Sequence, residues 1–215
     1  MTYLLESAQY ILQGCTVTLK LFFITFLFSI PLGALGAMGK TSRFKVIKVI
    51  MEVYTSVVRG TPLLLQIFFV YYGLPILIPG LRFERFSAAA LTFVLNYGAY
   101  FTEIFRGGIQ SIDKGQYEAS RVLGMNYAQT MMRIVLPQTV KRVLPPVANE
   151  AITLVKDTAL IVVLGIGDIL RNSKEIVARD FTISPFLIAA VIYLVMNYGV
   201  VLLFKKLEKR YSVYE

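Results

Sequence analysis

The chain has 215 residues, 56% of them hydrophobic and only 16% charged, and its mean hydropathy is +0.65. A soluble domain carries about 25% charged residues, so this composition points to a membrane protein. The net charge is +9, with no histidine and a single cysteine, Cys15, which excludes histidine bases and ligands, internal disulfides and cysteine metal clusters.

Four stretches hold no Asp, Glu, Lys or Arg: 21–39, 60–81, 86–102 and 181–204. A membrane-crossing helix needs about 20 apolar residues. An all-α integral membrane protein follows, with helices expected near 9–39, 50–79, 86–111, 137–165 and 183–209. Lys and Arg collect on the cytoplasmic side of membrane proteins. Lys40, Arg43, Lys45 and Lys48 form one rich patch. Arg106, Lys114, Arg121, Arg133, Lys141 and Arg142 form a second, and Lys205, Lys206, Lys209 and Arg210 a third. Rich and poor loops alternate if five helices span the membrane, with the N-terminus outside and the C-terminus cytoplasmic. The positive charge is then a topology signal rather than a nucleic-acid footprint. The start of the chain lacks a basic run and a small-residue cleavage site, so no cleaved signal peptide is expected. No repeat or linker divides the chain, and a single transmembrane domain over 1–215 is expected.

In the first expected helix, Gly33, Gly36 and Gly39 are small residues that let helices approach closely in lipid. Lys20 is expected to snorkel or to pair with an acid. Residues 33–41 look like a phosphate-binding loop, but that pattern needs glycine at 34, where Ala34 stands. The chain is not expected to bind ATP itself. Segment 40–58 alternates basic and apolar residues and suits a membrane interface. Arg59 is expected to cap helix ends at the cytoplasmic edge. Thr61-Pro62 biases the backbone away from a straight helix. Gly73-Leu74-Pro75 and Pro79-Gly80 are expected to end the second helix.

On the third expected helix, Asn96, Tyr100, Glu103 and Gly107 share one face by spacing. Along the fourth, Glu150, Thr153 and Asp157 do the same, with Lys156 beside them. Charges at membrane depth face a cavity or a partner. Together these residues suit a path for a zwitterion, acids on amino or guanidinium groups and Lys156 on a carboxylate. The acids mildly favour a basic substrate. Internal ion pairs that only order the bundle are the competing reading for Glu103, Glu150 and Asp157, and the sequence leaves that choice open. Pro137, Pro145 and Pro146 punctuate the fourth span and argue that it is buried or lines a pore. Asn197 in the last helix is expected to make an interhelical hydrogen bond.

Residues 118–137 carry the most specific pattern. Glu118-Ala119-Ser120 is followed after three residues by Gly124, and after nine more by Ile134, Leu136 and Pro137. This resembles the EAA loop of ABC-transporter permeases, with Ser120 in place of the second alanine. It falls on the expected cytoplasmic side, in a coupling loop over about 112–137. Small residues at 119 and 120 would let a short helix dock closely on a partner, and Gly124 would turn the chain at that helix's end.

More of the chain is similar to one branch, the importers of polar amino acids such as histidine, glutamine, glutamate and arginine. Arg59-Gly60-Thr61-Pro62-Leu63-Leu64, Tyr72-Gly73-Leu74-Pro75, Ala99-Tyr100, Glu103-Ile104, Arg106-Gly107-Gly108-Ile109 and Lys156-Asp157-Thr158-Ala159-Leu160 carry that likeness. The resemblance implies the type I ABC importer fold, with about five core helices per subunit. It implies a second permease subunit, expected to be an identical copy, and an external substrate-binding protein. It also implies two separate ATPase subunits that carry the ATP and Mg, and a place in the cytoplasmic membrane of a prokaryote. Glu118, Ala119, Ser120, Gly124, Ile134, Leu136 and Pro137 then couple to the ATPases. Within this chain no catalytic residue, metal or cofactor is expected, and it is not read as an enzyme. An ion-driven secondary amino acid carrier is the alternative. It would need no ATPase and often shows internal repeats. A scaffold with no path is a third reading.

Overall fold

The computed structural model describes residues 2–211, which form helices joined by short loops, with no strand among them. Ten α-helices follow in chain order: α1 (Thr2–Gln13), α2 (Cys15–Lys40), α3 (Lys45–Gly60), α4 (Leu63–Leu77), α5 (Arg85–Gln110), α6 (Lys114–Val122), α7 (Tyr127–Thr130), α8 (Leu136–Asp157, continued by a 3-10 helix, Thr158–Leu164), α9 (Ile169–Asp180) and α10 (Ser184–Tyr211). Two rods are long and apolar enough to cross a membrane alone, Tyr3–Lys40 and Ser184–Arg210. A third counts if α3 and α4 are one broken span. The two helices with Glu103, Glu150 and Asp157, α5 and α8, do not pass that test.

The centre is the α2–α5 crossing. Gly33 and Gly36 lie against Phe101 and Thr102, so closely that a Cβ on Gly33 would sit 2.9 Å from the Phe101 backbone carbon. Small residues at a crossing let two backbones approach and gain packing where lipid gives no hydrophobic drive. Gly39 makes the same allowance for the Met51 side chain of α3. Around the crossing, Leu21, Phe22, Ile67, Phe93, Tyr97, Phe101, Val147, Ala151 and Leu154 form the buried core. Phe26 meets Phe101 and Phe204 edge-on, which ties α10 to it.

Between α3 and α4 the axis bends by 107°. Thr61 (φ −119°, ψ 146°) and Pro62 (φ −61°, ψ 133°) are extended, as the clash of a proline ring with the preceding residue requires. Freed carbonyls find new donors. Thr61 Oγ1 donates to Val57 O at 2.9 Å, and Gln66 Nε2 donates to Val58 O at 2.7 Å and to Thr61 O at 3.1 Å.

Gly73-Leu74-Pro75 does not end the second helix, which runs on to Leu77. A π-helical turn, Phe69–Gly73, precedes Leu74-Pro75, and a second, Met131–Val135, precedes Leu136-Pro137. Proline clashes with the carbonyl four residues back in a regular helix. Widening the turn by one residue moves that carbonyl away and lets the helix pass through.

Two outer segments differ from the expected boundaries. Helix begins at Thr2, well before residue 9, because α1 is pinned to α9: Tyr3 donates to Asp180 at 3.0 Å and Tyr10 to Glu175 at 2.8 Å. Helix α9 itself lies in a segment where none is expected. Asp168 caps it, accepting from Arg171 N at 2.9 Å and Leu170 N at 3.3 Å. Among the described residues Lys20 pairs with no acid; its ammonium sits 4.8 Å from the Phe86 ring centroid. The hydrogen bond expected of Asn197 is not made by its Oδ1, which is buried with no partner among the described residues.

Candidate functional site

The 107° bend opens a cavity of about 630 Å³ between three walls. The bend supplies Arg59 to Leu64, α5 supplies Asn96, Tyr97 and Tyr100, and α8 supplies Glu150, Thr153 and Asp157, with Leu160 beyond its end. Five of the residues read as a path therefore face one space: Asn96, Tyr100, Glu150, Thr153 and Asp157. The spacing argument works on α8 because residues 150, 153 and 157 rise one turn at a time along the same face.

Polar contacts hold the walls in register. The Tyr97 hydroxyl donates to Asp157 Oδ2 at 2.8 Å. Asn96 Nδ2 donates to Gln66 Oε1 at 3.0 Å, and Gln66 in turn holds the bend. The Arg59 guanidinium carbon lies 5.2 Å from the Tyr100 ring centroid. Arg59 is thus at the cavity wall rather than capping a helix end. The cavity presents two carboxylates, one guanidinium, an amide, two threonine hydroxyls and two phenols. Such a set can take an ammonium and a carboxylate at once.

Glu103 and Lys156 do not line this cavity. Glu103 lies one turn beyond Tyr100 and pairs with Lys40 of α2 and with Arg106, at 2.6 Å from Arg106 Nη2. Lys40 also donates to Thr55 Oγ1 at 2.9 Å, which joins α2, α3 and α5. Lys156 is exposed on another side of α8. Tyr97, Arg59 and Gln66 belong to the site and are missed by sequence reasoning. Tyr97 sits three residues before Tyr100, which is the signal that could have found it.

The segment after α5 has its own geometry. Asp113 caps α6, accepting from Gly115 N at 2.6 Å. At the other end Gly124 is left-handed (φ 73°), Met125 N donates to Ser120 O at 3.0 Å, and Gly124 N to Arg121 O at 2.9 Å. This is a Schellman closure, which glycine permits at no steric cost. Asn126 and Gln129 then form a capping box that starts α7. Ser120 is fully buried within the chain, accepting from Thr130 Oγ1 at 3.0 Å. Glu118 and Ala119 are exposed, and so are Val122 at 87% and Leu123 at 77%. Ile134 and Leu136 are half-buried and Pro137 is exposed. Arg142 of α8 donates to Ser111 O, and Gln138 to Gln116 Oε1 at 3.2 Å, so α6 is tied to the base of α8.

The family of the inner membrane component of binding-protein-dependent transport systems matches residues 29–213. The chain belongs to that family. It is an ABC-transporter permease, a membrane transport subunit. The permease is 39% identical over 207 residues to the arginine transport system permease protein ArtQ of Bacillus subtilis (strain 168), over 96% of this chain and 94% of that one. It is 32% identical over 204 residues to the glutamine transport system permease protein GlnP of Escherichia coli (strain K12), over 94% and 93%. Its fold superimposes on a chain from the crystal structure of an amino acid ABC transporter with histidines, with TM-score 0.90, 35% identity and 97% of each chain covered. The inward-facing MetNI methionine ABC transporter shares the fold at TM-score 0.77 and 16% identity. The permease therefore has the type I importer fold. None of these matches is an ion-driven carrier.

Proposed function

We propose that this permease forms half of the path for a polar amino acid, with cationic ones favoured, in an ATP-driven importer. One observation carries the reading: Glu150 and Asp157 face Arg59 across a single cavity. The two acids would receive the substrate's ammonium or guanidinium, and Arg59 its carboxylate, the part that the sequence gives to Lys156. Two ionised carboxylates beside one guanidinium would leave the cavity net negative, which favours a positive side chain. The relatives named for arginine and glutamine transport support an amino acid as cargo.

The reading includes five spans per subunit, α2, α3 with α4, α5, α8 and α10. The N-terminus lies outside, and residues 1–215 form one transmembrane domain in a prokaryotic cytoplasmic membrane. A second, identical permease would complete the path, and an external binding protein would deliver the cargo. Two ATPase subunits carrying ATP and Mg would dock on α6, where Glu118, Ala119, Val122 and Leu123 are exposed. Their closure would move α6 as a rigid body, its tie at Gln116 would pass that motion to α8, and the Arg142 bond to Ser111 would carry it on to the end of α5.

Reconstitution of the permease with its ATPases and binding protein in proteoliposomes tests the reading. ATP-dependent arginine uptake, competed by lysine and histidine more than by glutamate, is expected. Asp157→Asn and Glu150→Gln should each weaken arginine uptake more than glutamine uptake. Uptake on an ion gradient without ATP would favour the carrier instead. Equal effects of both variants on all substrates would remove the charge-recognition role.

A further inference from the structure

We propose that Phe181 and Ile183 form an interfacial anchor, seated in the lipid leaflet opposite the basic end of α10. Phe181 closes α9 in the left-handed conformation (φ 51°, ψ 38°), with its N–H on Val177 O at 2.9 Å. A bulky side chain at positive φ is uncommon and strained. Its ring is nevertheless 93% exposed, and Ile183 is 71% exposed. The neighbouring charges do not explain the exposure, since Asp180 is engaged by Arg179 at 2.6 Å and by Tyr3 at 3.0 Å.

Position along α10 identifies the occupant. Lys205, Lys206, Lys209 and Arg210 mark one headgroup layer. A hydrocarbon core of about 30 Å takes roughly 20 helical residues, which counts back from Lys205 to about residue 185. Phe181 and Ile183, just before the first residue of α10, then lie at about the opposite edge of that core. The patch also continues an apolar stripe. Ile183, Leu187, Val191, Leu194 and Tyr198 recur at helical spacing and are all exposed. Phe181 stands two residues before that stripe begins. The anchor fixes the end of α9, and through Tyr3 the start of α1, at a set depth.

The chain has no tryptophan, so single indoles report depth without background. Phe181→Trp, Ile183→Trp, Leu194→Trp and Val122→Trp are placed in phosphatidylcholine nanodiscs, with and without bromine on the acyl chains. Phe181→Trp and Ile183→Trp are expected to emit blue-shifted light that brominated lipid roughly halves. Leu194→Trp should be quenched more strongly, and Val122→Trp on α6 not at all. Red-shifted, unquenched emission from both Phe181→Trp and Ile183→Trp overturns the anchor, and points to water or a protein partner at that patch. Unquenched Leu194→Trp overturns it as well, because the stripe would then be covered by protein.

Discussion

The Tyr97 hydroxyl donates to Asp157 Oδ2 at 2.8 Å, joining α5 to α8 at the cavity wall. Tyr97 is 2% exposed and cannot move far, so it fixes one carboxylate oxygen in place. A hydrogen bond to a charged group contributes about 1.5–3 kcal/mol. Tyr97→Phe deletes the donor with little change in volume. Because Asp157 borders the cavity, water can replace the donor, and the unfolding temperature should barely move. The KM for arginine uptake should rise on the order of 10-fold. An unchanged KM would separate Asp157 from substrate recognition.

Glu103 answers to a different helix. Its carboxylate and the Lys40 ammonium are 15% and 12% exposed, and Arg106 closes the other side at 2.6 Å. Breaking a buried pair from one side leaves an uncompensated charge and costs about 3–5 kcal/mol. With Arg106 still partly exposed, the low end of that range is expected for Glu103→Gln. Adding Lys40→Gln should recover part of the loss. Thermal unfolding of both singles and the double gives the coupling directly. Additive losses would mean that the pair does not hold α2 to α5.

How much of this is legible beforehand depends on what each residue answers to. Helices α5 and α10 match the expected 86–111 and 183–209 within a residue or two, because their apolar runs end in charges. Helix α9 hides from hydropathy, since two of its four buried residues, Asn172 and Ser173, are polar. Its local signals are the Asp168 cap and the Arg171–Glu175 pair at 2.8 Å. The acids of α8 are legible by spacing alone. Arg59 is not, because Thr61-Pro62 announces a break without giving its angle, and only a 107° turn brings Arg59 to Tyr100. Glu103 shares the face of Asn96 and Tyr100, yet Lys40 lies 63 residues away in sequence and claims it.

Two glycines, each inside a long helix, should behave oppositely. A Cβ on Gly33 would meet the Phe101 backbone, whereas a Cβ on Gly107 would meet nothing within 4 Å. Gly33→Ala forces α2 away from α5 and should cost about 1–3 kcal/mol. Gly107→Ala, inside α5, should stabilise by about 0.5–1 kcal/mol through lower unfolded-state entropy. Melting curves of the two variants in the same detergent check the contrast. Equal shifts would place the tight crossing elsewhere.

Asp168 gives the fold a dependence on pH. It lies in the loop before α9, against Gly14, whose Cβ would sit 2.7 Å from Asp168 O. Burial pushes its carboxyl up to about 6, outweighing the Arg171 and Leu170 amides that favour the charged form. The folded chain therefore holds this proton more tightly than the unfolded chain, whose value is 3.8. Stability should fall as pH rises from about 4 to about 6, by on the order of 3 kcal/mol from this group, and stay level above. Asp168→Asn keeps an acceptor for the α9 amides without the buried charge. Its unfolding temperature minus that of the parent should be small or negative near pH 4 and positive near pH 7. A difference that does not vary between those two values would mean that Asp168 stays ionised throughout, with the amides outweighing burial.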